Sequence, residues 1–427
     1  MCVVVRSDHE DPCMEPKTFG QRVAYWRTRR RISRPEFAAL MGGKSLRWVE
    51  ELEAGRRQAD PQVSIAVDAA RHLGVPLERL IAEPVEAESA GESELAAVRA
   101  ALQRHDVITG AGDLAAADPV PVDQLRRALA HARTGFQAGH FNRLGSAIPE
   151  LLFDATGAAR HYQGDDRLAA YTVLSLSLEL AEAAAIKWGD SELAVLAGHR
   201  AVDAAERSED PVIKASAARH LADAMTAHGQ AAGAAQFALA AAARLEPDLL
   251  RGGPDGYSVL GMLYLKAAMA AAAAAEAEDR EPGRHARRVP DYLAEAGEHA
   301  DRLGCDDNRL WTSFGPTNCA LYRVAAQVQL SEGADAVATA AGIPAPAFDG
   351  LPRERRAHLL TDRALAERQA GLRERAVDTL LDAEELAPEE VRCRPRTLAL
   401  VEDLRLLGVG GAEGRLRLLA ERCGLPR

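Results

Sequence analysis

Apolar residues in the N-terminal part of the chain recur at helical spacing, in short runs separated by glycine and proline. Val23 and Trp26 stand three residues apart in the segment 19–30, with basic residues between them, which predicts an amphipathic first helix. Phe37 and Leu40 repeat that spacing in a second run. The pattern therefore predicts helices rather than strands over this part of the chain.

Polar residues mark where these helices begin and end. Ser33 and Glu36 have the spacing of a capping box, in which each side chain accepts a hydrogen bond from the backbone of the other residue, so a second helix is predicted to begin there. The glycine pair 42–43 can adopt the positive φ angles that end a helix and turn the chain. Ser45 is then the expected N-cap of a third helix over 46–54.

Two further elements complete a predicted unit of five helices. Asp60 and Pro61 predict the cap and first turn of a fourth helix, which Gly74 ends. The inward-facing residues of that helix are Ile65, Ala69, Ala70 and Leu73. A last turn adds three core residues, which are Leu77, Leu80 and Ile81.

Several spaced positions in this unit agree with one family at once. Residues 32–38 read Ile-Ser-Arg-Pro-Glu-Phe-Ala, Gly42 follows, and the third helix ends in Glu-Ala-Gly at 53–55. These residues resemble the XRE-type helix-turn-helix family, whose usual run is Leu-Ser-Gln-x-x-Leu-Ala, a glycine, and a recognition helix ending in Glu-x-Gly. The turn is one residue longer here, and Arg34 replaces the glutamine. The resemblance implies a lambda-repressor-like domain over 17–82 that binds double-stranded operator DNA.

The same resemblance implies which side chains meet DNA. Recognition helices of this family present their N-terminal residues to base edges, so Arg47 is the expected base reader, with guanine as its target. Trp48 is expected either to contact a thymine methyl or the DNA backbone, or to pack beside Leu52 in the core. Val49 belongs in the core. The other residues expected at the DNA are Arg34, Ser45, Leu46, Glu50, Arg56 and Arg57.

The acidic residues of the third helix are not expected to bind phosphates. Glu50 and Glu51 would repel phosphates unless they accept hydrogen bonds from cytosine or pair with arginines of the same domain, and a solvated or internally paired face is favoured. Arg27 and Glu53 are expected to form an ion pair that ties the first helix to the third.

Charge divides the chain in the same way. Residues 17–82 hold 13 basic and 7 acidic side chains, whereas the whole chain has a formal net charge of −11 at pH 7. A locally basic segment suits DNA, and an acidic remainder suits a sensor or protein-contact region rather than one that wraps nucleic acid.

Length indicates the number of domains, and cysteine usage indicates the cellular compartment. A chain of 427 residues is long enough for two or three domains. The six cysteines include no C-x-x-C pair, and no signal peptide or lipid anchor opens the chain, so a reducing cytoplasm is expected. Cys2, His9 and Cys13 lack the paired spacing of a zinc site, so residues 1–16 are predicted to be a disordered tail without a metal.

Beyond a predicted linker with one helix at 83–121, helical segments recur in pairs with a period near 35 to 40 residues. The predicted pairs are 122–161, 168–208, 211–246, 254–304, 315–342 and 353–387. Two of them share one spacing of small residues and proline, which is Ala235, Ala242 and Pro247 in one and Ala376, Ala383 and Pro388 in the other. Ala364 and Gly371 precede the second set.

These positions resemble tetratricopeptide repeats, in which small side chains let paired helices approach closely and a proline ends the second helix. Most aromatic and Leu-Gly positions of that repeat are missing, so a looser α-solenoid of helix pairs is expected over 122–427. An all-α protein with an XRE-type head and such a body resembles regulators frequent in high-GC Gram-positive bacteria. The body would then bind a peptide, small-molecule or protein ligand in a concave groove.

One segment of the body is a candidate ligand contact. Residues 311–318 combine aromatic side chains with a Gly-Pro turn, and the expected contacts are Trp311, Phe314, Thr317 and Asn318. The alternative is a structural entry into a helix that starts near Thr317, with Thr317 or Asn318 as its cap and Phe314 in the core.

Other functional classes are not expected. The sequence Gly-Gly-Lys-Ser at 42–45 ends like a phosphate-binding loop, but Ala38 stands where the first glycine belongs. Residues 257–275 are nearly uncharged, yet Lys266 and the lack of flanking anchors favour a buried helix over a membrane span. No nucleophile elbow or metalloprotease motif is present, so neither an enzyme nor a cofactor is expected.

The sequence therefore predicts a cytoplasmic transcriptional regulator that binds specific DNA and whose ligand shifts the DNA-competent population. A homodimer is expected, because one short recognition helix reads few base pairs and paired half-sites multiply specificity. The alternative is an interaction scaffold, whose acidic helical body captures a partner protein while the head is secondary or inactive.

Overall fold

The computed structural model describes residues 18–29, 32–56, 62–73, 77, 80, 90–104, 119–276 and 283–425. Regular structure in those ranges is helical, and an isolated antiparallel bridge joins Asp307 and Phe314. The prediction of an all-α protein is confirmed. Contacts divide the chain into a head, Met1–Glu88, and a body, Ser89–Arg427.

The described residues of the head form four main helices, which are α1 (Phe19–Arg29), α2 (Arg34–Leu40), α3 (Leu46–Glu53) and α4 (Val63–Leu73). The N-caps of α2 and α3 are those that the sequence predicts. Ser33 and Glu36 form the capping box of α2, and the Ser45 hydroxyl accepts a hydrogen bond from the first turn of α3. The glycines at 42 and 43 have φ angles of 80° and 72°, so the predicted turn between α2 and α3 is confirmed.

The core of the head lies between these helices. Its fully or almost fully buried side chains include Phe37, Val49, Leu52, Leu73 and Leu80. A methyl group on Gly20 would overlap the Leu52 carbonyl, so glycine at this position lets α1 approach α3 closely. The predicted cap at Asp60 and Pro61, the stop at Gly74, the rest of the fifth helix with Ile81, and the predicted tail 1–16 lie outside the described residues.

The body begins with α5 (Ala90–Leu102), which the sequence places in the linker and which packs against the second helix of the first pair. Successive helices then pack in pairs. The pairs are α6 (Val122–Gln137) with α7 (Leu144–His161), α8 (Gly164–Trp188) with α9 (Ser191–Ser208), α10 (Pro211–Ala227) with α11 (Ala231–Arg251), α12 (Gly253–Glu276) with α13 (Val289–Leu303), and α14 (Pro316–Gln329) with α15 (Gly333–Ala341).

The C-terminal part continues the series. After the short α16 (Ala345–Asp349) come α17 (Arg353–Gln369) with α18 (Arg373–Leu386), the short α19 (Pro388–Arg392), and α20 (Pro395–Leu407) with α21 (Glu413–Arg422). Helices thus occupy each of the six predicted paired segments, and one further pair follows.

The first helices of the pairs pack side by side in the order α6, α8, α10, α12, α14 and α17, and α17 also contacts α6. The row therefore closes on itself. Lys187 connects α8, near the start of the row, to its C-terminal end. Its ammonium group lies 2.5 Å from a carboxylate oxygen of Glu354 on α17 and 2.6 Å from one of Glu390 on α19. The Asn142 backbone N–H adds a bond to Glu389 at 2.8 Å.

The two prolines of the repeat pattern behave differently. Pro388 begins α19 directly after α18 has ended, as predicted. Pro247, in contrast, lies inside α11, which continues to Arg251, so the predicted helix end there is wrong. The helix continues because Leu249, one half-turn later, is fully buried in the core that α11 shares with α12. The alanines of the pattern that are fully buried are Ala242, Ala364, Ala376 and Ala383.

Helices α8 and α12 are long and apolar enough to cross a membrane by length and composition alone. Most of each apolar stretch is buried inside the body. Lys266 in α12 also pairs with Asp223 on α10 at 2.6 Å. Both helices are therefore core helices of the body, which agrees with the prediction for 257–275.

Candidate functional sites

Helix α3 is held in the head by its apolar side and by one carboxylate. Val49 and Leu52 are fully buried. The Glu53 carboxylate accepts hydrogen bonds from Arg27 Nε of α1 at 2.5 Å and from Arg34 Nε of α2 at 2.7 Å. The predicted ion pair between Arg27 and Glu53 is confirmed, and Glu53 joins all three helices.

The outer side of α3 carries exposed side chains on its N-terminal half. The Arg47 side chain is 86% exposed, and its Nε lies 3.0 Å from a Glu51 carboxylate oxygen. Leu46 and Glu50 are also exposed. Ser45 is exposed, although its hydroxyl is engaged in the cap. Leu46, Arg47 and Glu50 are therefore available to a partner that approaches this end of the helix.

The remaining residues expected at DNA take different positions. Trp48 is only 8% exposed and packs into the core of the head, which is the packing alternative of the sequence analysis. Arg34 is half exposed and bonded to Glu53. Arg56 is exposed just after α3, and Arg57 lies outside the described residues.

The body contains a cavity of about 280 Å³ that is lined mainly by the first helices of the pairs. Charged groups dominate its polar lining, with seven basic side chains against four acidic ones. The basic residues are Arg133, Lys187, Arg219, Lys266, Arg355, Arg394 and Arg396, and the acidic ones are Glu182, Asp223, Glu354 and Asp362. Its apolar walls include Ile186, Met269, Leu321 and Leu359.

Helix α10 turns one polar face toward this cavity. Arg219, His220 and Asp223 line the cavity, and Ser216 lies one turn earlier on the same side of the helix. The Ser216 hydroxyl donates to Glu179 on α8 at 2.9 Å, and Asp223 accepts from Lys266 on α12 at 2.6 Å. The outer two residues of the face are thus paired to the helices on either side.

His220 is paired as well, through a bond of 2.5 Å between Nδ1 and a carboxylate oxygen of Glu182. Burial raises the pKa of Glu182 well above its usual value, and burial, aided by Arg219 and Arg133, lowers the pKa of His220 well below its usual value. Both shifts favour the neutral forms. The two side chains therefore form a coupled pair joined by one hydrogen bond.

Arg219 is the exception on this face. It is 4% exposed, it lines the cavity, and its Nε has no hydrogen-bond partner. Within the described part of the chain, no carboxylate forms an ion pair with it. Glu179, the buried acid of the neighbouring helix, is engaged by Ser216 and by Arg133, whose Nη2 lies 3.4 Å away.

A second buried cluster surrounds Lys187. Glu354, His358 and Glu390 each bring one ligand atom within 4.8 Å of the others, which is a spacing that suits a metal ion. The Lys187 ammonium already lies between the two carboxylates. Burial by itself raises the pKa of Glu354, but Lys187 and Arg355 outweigh it and hold that pKa well below its usual value. The lysine therefore supplies the cation that these carboxylates need.

Trp311 reaches the cavity from a strained loop. Leu310, Trp311 and Ser313 have φ angles of 48°, 55° and 48°, in the left-handed region that non-glycine residues rarely adopt. The Asn308 amide oxygen holds this loop by accepting from the Ser313 backbone N–H at 3.2 Å. The Arg133 guanidinium lies 5.2 Å from the Trp311 ring centre, so the indole and the cation share one wall of the cavity.

The other three predicted ligand contacts are engaged within the body. Phe314 is fully buried in the core. Asn318 is buried and donates to a loop carbonyl at 3.2 Å. Helix α14 begins at Pro316, and the expected cap by a threonine or asparagine at its start is wrong, because Asp306 accepts the Thr317 backbone N–H at 2.9 Å instead.

A scan against protein-family models and a search of curated protein sequences found no match to this chain. The functional evidence therefore comes from the exposed side of α3 and from the cavity of the body.

Sequence reasoning missed the buried charges of the cavity. One signal was present in α10, where Arg219 and Asp223 lie on one face of a largely apolar helix. Helix α17, which carries Glu354 and His358, is polar along most of its length and gives no such signal. Charged side chains at helical spacing on a buried face predict a polar interior.

Proposed function

We propose that this protein is a cytoplasmic, sequence-specific DNA-binding regulator whose body binds a ligand that changes its affinity for DNA. The observation that carries the proposal is the presentation of α3. A buried apolar side and the Glu53 carboxylate fix the helix, while Leu46, Arg47 and Glu50 project from its N-terminal half. This arrangement is what an XRE-type helix-turn-helix needs in order to place a helix in the major groove.

Direct readout in this proposal depends on Arg47. A guanidinium forms two parallel hydrogen bonds with the O6 and N7 acceptors of guanine, and the Arg47 side chain is 86% exposed, with Glu51 as its ion-pair partner among the described residues. Leu46, which is 45% exposed, supplies an apolar contact for a thymine methyl. Trp48 is not a proposed reader, because its ring is buried.

Backbone contacts come from arginines around α3. Arg34 and Arg56 are assigned to phosphates, and Arg57 follows from the resemblance to XRE-type domains. The excess of basic over acidic residues in 17–82 supports this assignment, because phosphate neutralisation supplies much of the affinity for DNA.

The body is proposed to be a tetratricopeptide-like solenoid that acts as the sensor. Its side-by-side first helices and the cavity between them support that role. A ligand bound there changes DNA affinity by as much as its own affinity differs between the two states of the protein. A homodimer is proposed because two half-sites provide the specificity that one short helix lacks.

Selection from random DNA duplexes by the purified full-length protein tests this function. We expect one enriched sequence that contains an inverted repeat. Arg47→Ala should weaken binding to that sequence about tenfold and relax the preference at one base pair of each half-site. Arg71→Ala is the matched control, because Arg71 is also an exposed arginine of the head with a carboxylate neighbour, Asp68.

Two results would contradict the proposal. If no sequence is enriched, the head does not read DNA, and the interaction scaffold with an acidic body becomes the better description. If Arg47→Ala and Arg71→Ala weaken binding equally for every sequence, Arg47 contributes only charge and base readout lies elsewhere.

A further inference from the structure

We infer that the cavity of the body binds a small organic carboxylate, with Arg219 as the group that binds it. The observation is a guanidinium that is almost completely buried, lines a cavity, and has no hydrogen bond or ion pair to the described residues. A buried charge without a counter-charge is costly, whereas the same charge beside a cavity is stabilised when an anion enters.

Neighbouring carboxylates do not meet this need. Asp223 is bonded to Lys266 at 2.6 Å. Glu179 accepts from Ser216 and Arg133, and Glu182 is hydrogen-bonded to His220. Each acid near Arg219 is therefore matched by its own donor, and the guanidinium remains available to a ligand.

The geometry of the guanidinium indicates the anionic group of the ligand. Lys187 is bonded to Glu354 and Glu390, and Lys266 is bonded to Asp223, whereas Arg219 has no such partner among the described residues. A planar carboxylate suits the flat fork of a guanidinium, which can donate two parallel hydrogen bonds to it.

The volume and the apolar walls of the cavity indicate what the rest of the ligand is. The cavity of about 280 Å³ lies at the small end of the roughly 300–1,000 Å³ that ligand sites span, which suits a small molecule rather than a long peptide. The aliphatic residues of its wall, Ile186, Met269, Leu321 and Leu359, suit a hydrocarbon portion. The expected ligand is thus a carboxylate attached to a compact apolar group.

Calorimetric titration of the full-length protein tests this assignment without any DNA. The probes are octanoate, phenylacetate and 1-naphthaleneacetate, each compared with its neutral amide. We expect at least one acid to bind and to raise the melting temperature, and its amide to bind about 10- to 100-fold more weakly, because the amide lacks the charge-assisted hydrogen bonds to Arg219.

Three variants locate the effect. Arg219→Gln should weaken binding of the acid about 10- to 100-fold and leave the amide unchanged. Arg219→Lys keeps the charge but loses the fork, so it should fold and show an intermediate loss. Arg244→Gln, at an exposed arginine of α11, should bind as the wild type does.

Three outcomes would overturn the inference. In the first, none of the three acids binds to the wild-type protein. In the second, acid and amide bind equally, so that the cavity recognises shape alone. In the third, Arg219→Gln retains full affinity for the acid, and Arg219 is then only a structural counter-charge. None of these outcomes involves the head, so the proposed DNA binding and this ligand assignment can fail independently, and only the effect of the ligand on DNA affinity depends on both.

Discussion

His358 on α17 is a half-buried histidine, with a side chain that is 26% exposed and charged groups close to both ring nitrogens. Lys187 Nζ lies 3.4 Å from its Nδ1, Glu354 and Glu390 lie within 3.6 Å, and Asp362 lies 3.6 Å from its Nε2. Burial, followed by Arg394 and Lys187, lowers the pKa of this histidine below its usual value of 6.5. The imidazole is therefore neutral at pH 7 in the folded protein.

A pH dependence follows from that shift. Below about pH 6.5 the unfolded chain takes up a proton at His358 while the folded chain does not, so the stability that this residue contributes is present above pH 6.5 and is lost as the pH falls through 6.5 toward the folded pKa. The slope is at most about 1.4 kcal/mol per pH unit. Urea unfolding at pH 7.0 and 5.5 should show a smaller loss of stability for His358→Gln than for the wild type.

The control for this measurement is His161→Gln, because His161 is exposed at the end of α7. It should leave the loss between the two pH values unchanged. Equal losses in the wild type and in His358→Gln would show that His358 titrates with the same pKa in both states.

At the scale of the element, two glycines inside helices of the body have opposite surroundings. A methyl group on Gly261 of α12 would overlap the ring of Phe314, which is fully buried. A methyl group on Gly157 of α7 would meet no atom within 4 Å. Gly261 therefore allows the close packing of the Phe314 ring, whereas Gly157 only weakens its helix.

The two alanine variants should change stability in opposite directions. Gly261→Ala should destabilise the body by about 1–3 kcal/mol because the ring cannot move without disturbing its neighbours. Gly157→Ala should stabilise it by up to about 1 kcal/mol, since alanine has the higher helix propensity. Thermal unfolding of the two variants beside the wild type measures both effects, and two shifts of the same sign would contradict this account.

Elements were predictable where their determinants are local. The capping box of Ser33 and Glu36 and the cap at Ser45 act within three residues, so the sequence alone located α2 and α3. The hydrogen bond from Arg34 to Glu53 was not predictable, because it depends on how α2 and α3 are arranged in space.

The partners of the charged groups in the cavity were not predictable for the same reason. Its bonds join residues far apart, such as Asp223 with Lys266, 43 positions later, and Ser216 with Glu179, 37 positions earlier. A pattern along one helix predicts that charges are buried, but it does not identify their partners on the next helix. Among the described residues, Arg219 lacks a partner because each neighbouring acid is bonded to another side chain, and those bonds depend on the three-dimensional arrangement.

At the scale of the whole body, closure of the row of helices depends on a buried lysine. Lys187 connects α8 to Glu354 and Glu390, and the side chains of all three are 7% exposed or less. Lys187→Met would leave two buried carboxylates without their shared cation, and removal of one partner from a buried ion pair is far more costly than replacement of all of them.

We expect Lys187→Met to destabilise the body by about 3 kcal/mol and to increase hydrogen exchange in α17 and α19. Arg126→Ala is the control, because Arg126 and Asp123 on α6 form an exposed pair whose loss should cost less than about 0.5 kcal/mol. Denaturant unfolding and exchange measured by mass spectrometry test both variants. Comparable stability in the two would show that Lys187 does not hold the closure.

Closure also sets an order of events during synthesis. Lys187 precedes its two partners by 167 and 203 residues, whereas the two helices of each pair are neighbours in the chain. Pairs can therefore form one after another as the chain leaves the ribosome, while Lys187 has both of its partners only after Glu354 and then Glu390 have emerged. The cavity is built in this last step, so a nascent chain that stops before Glu390 would carry its helix pairs around an open cleft.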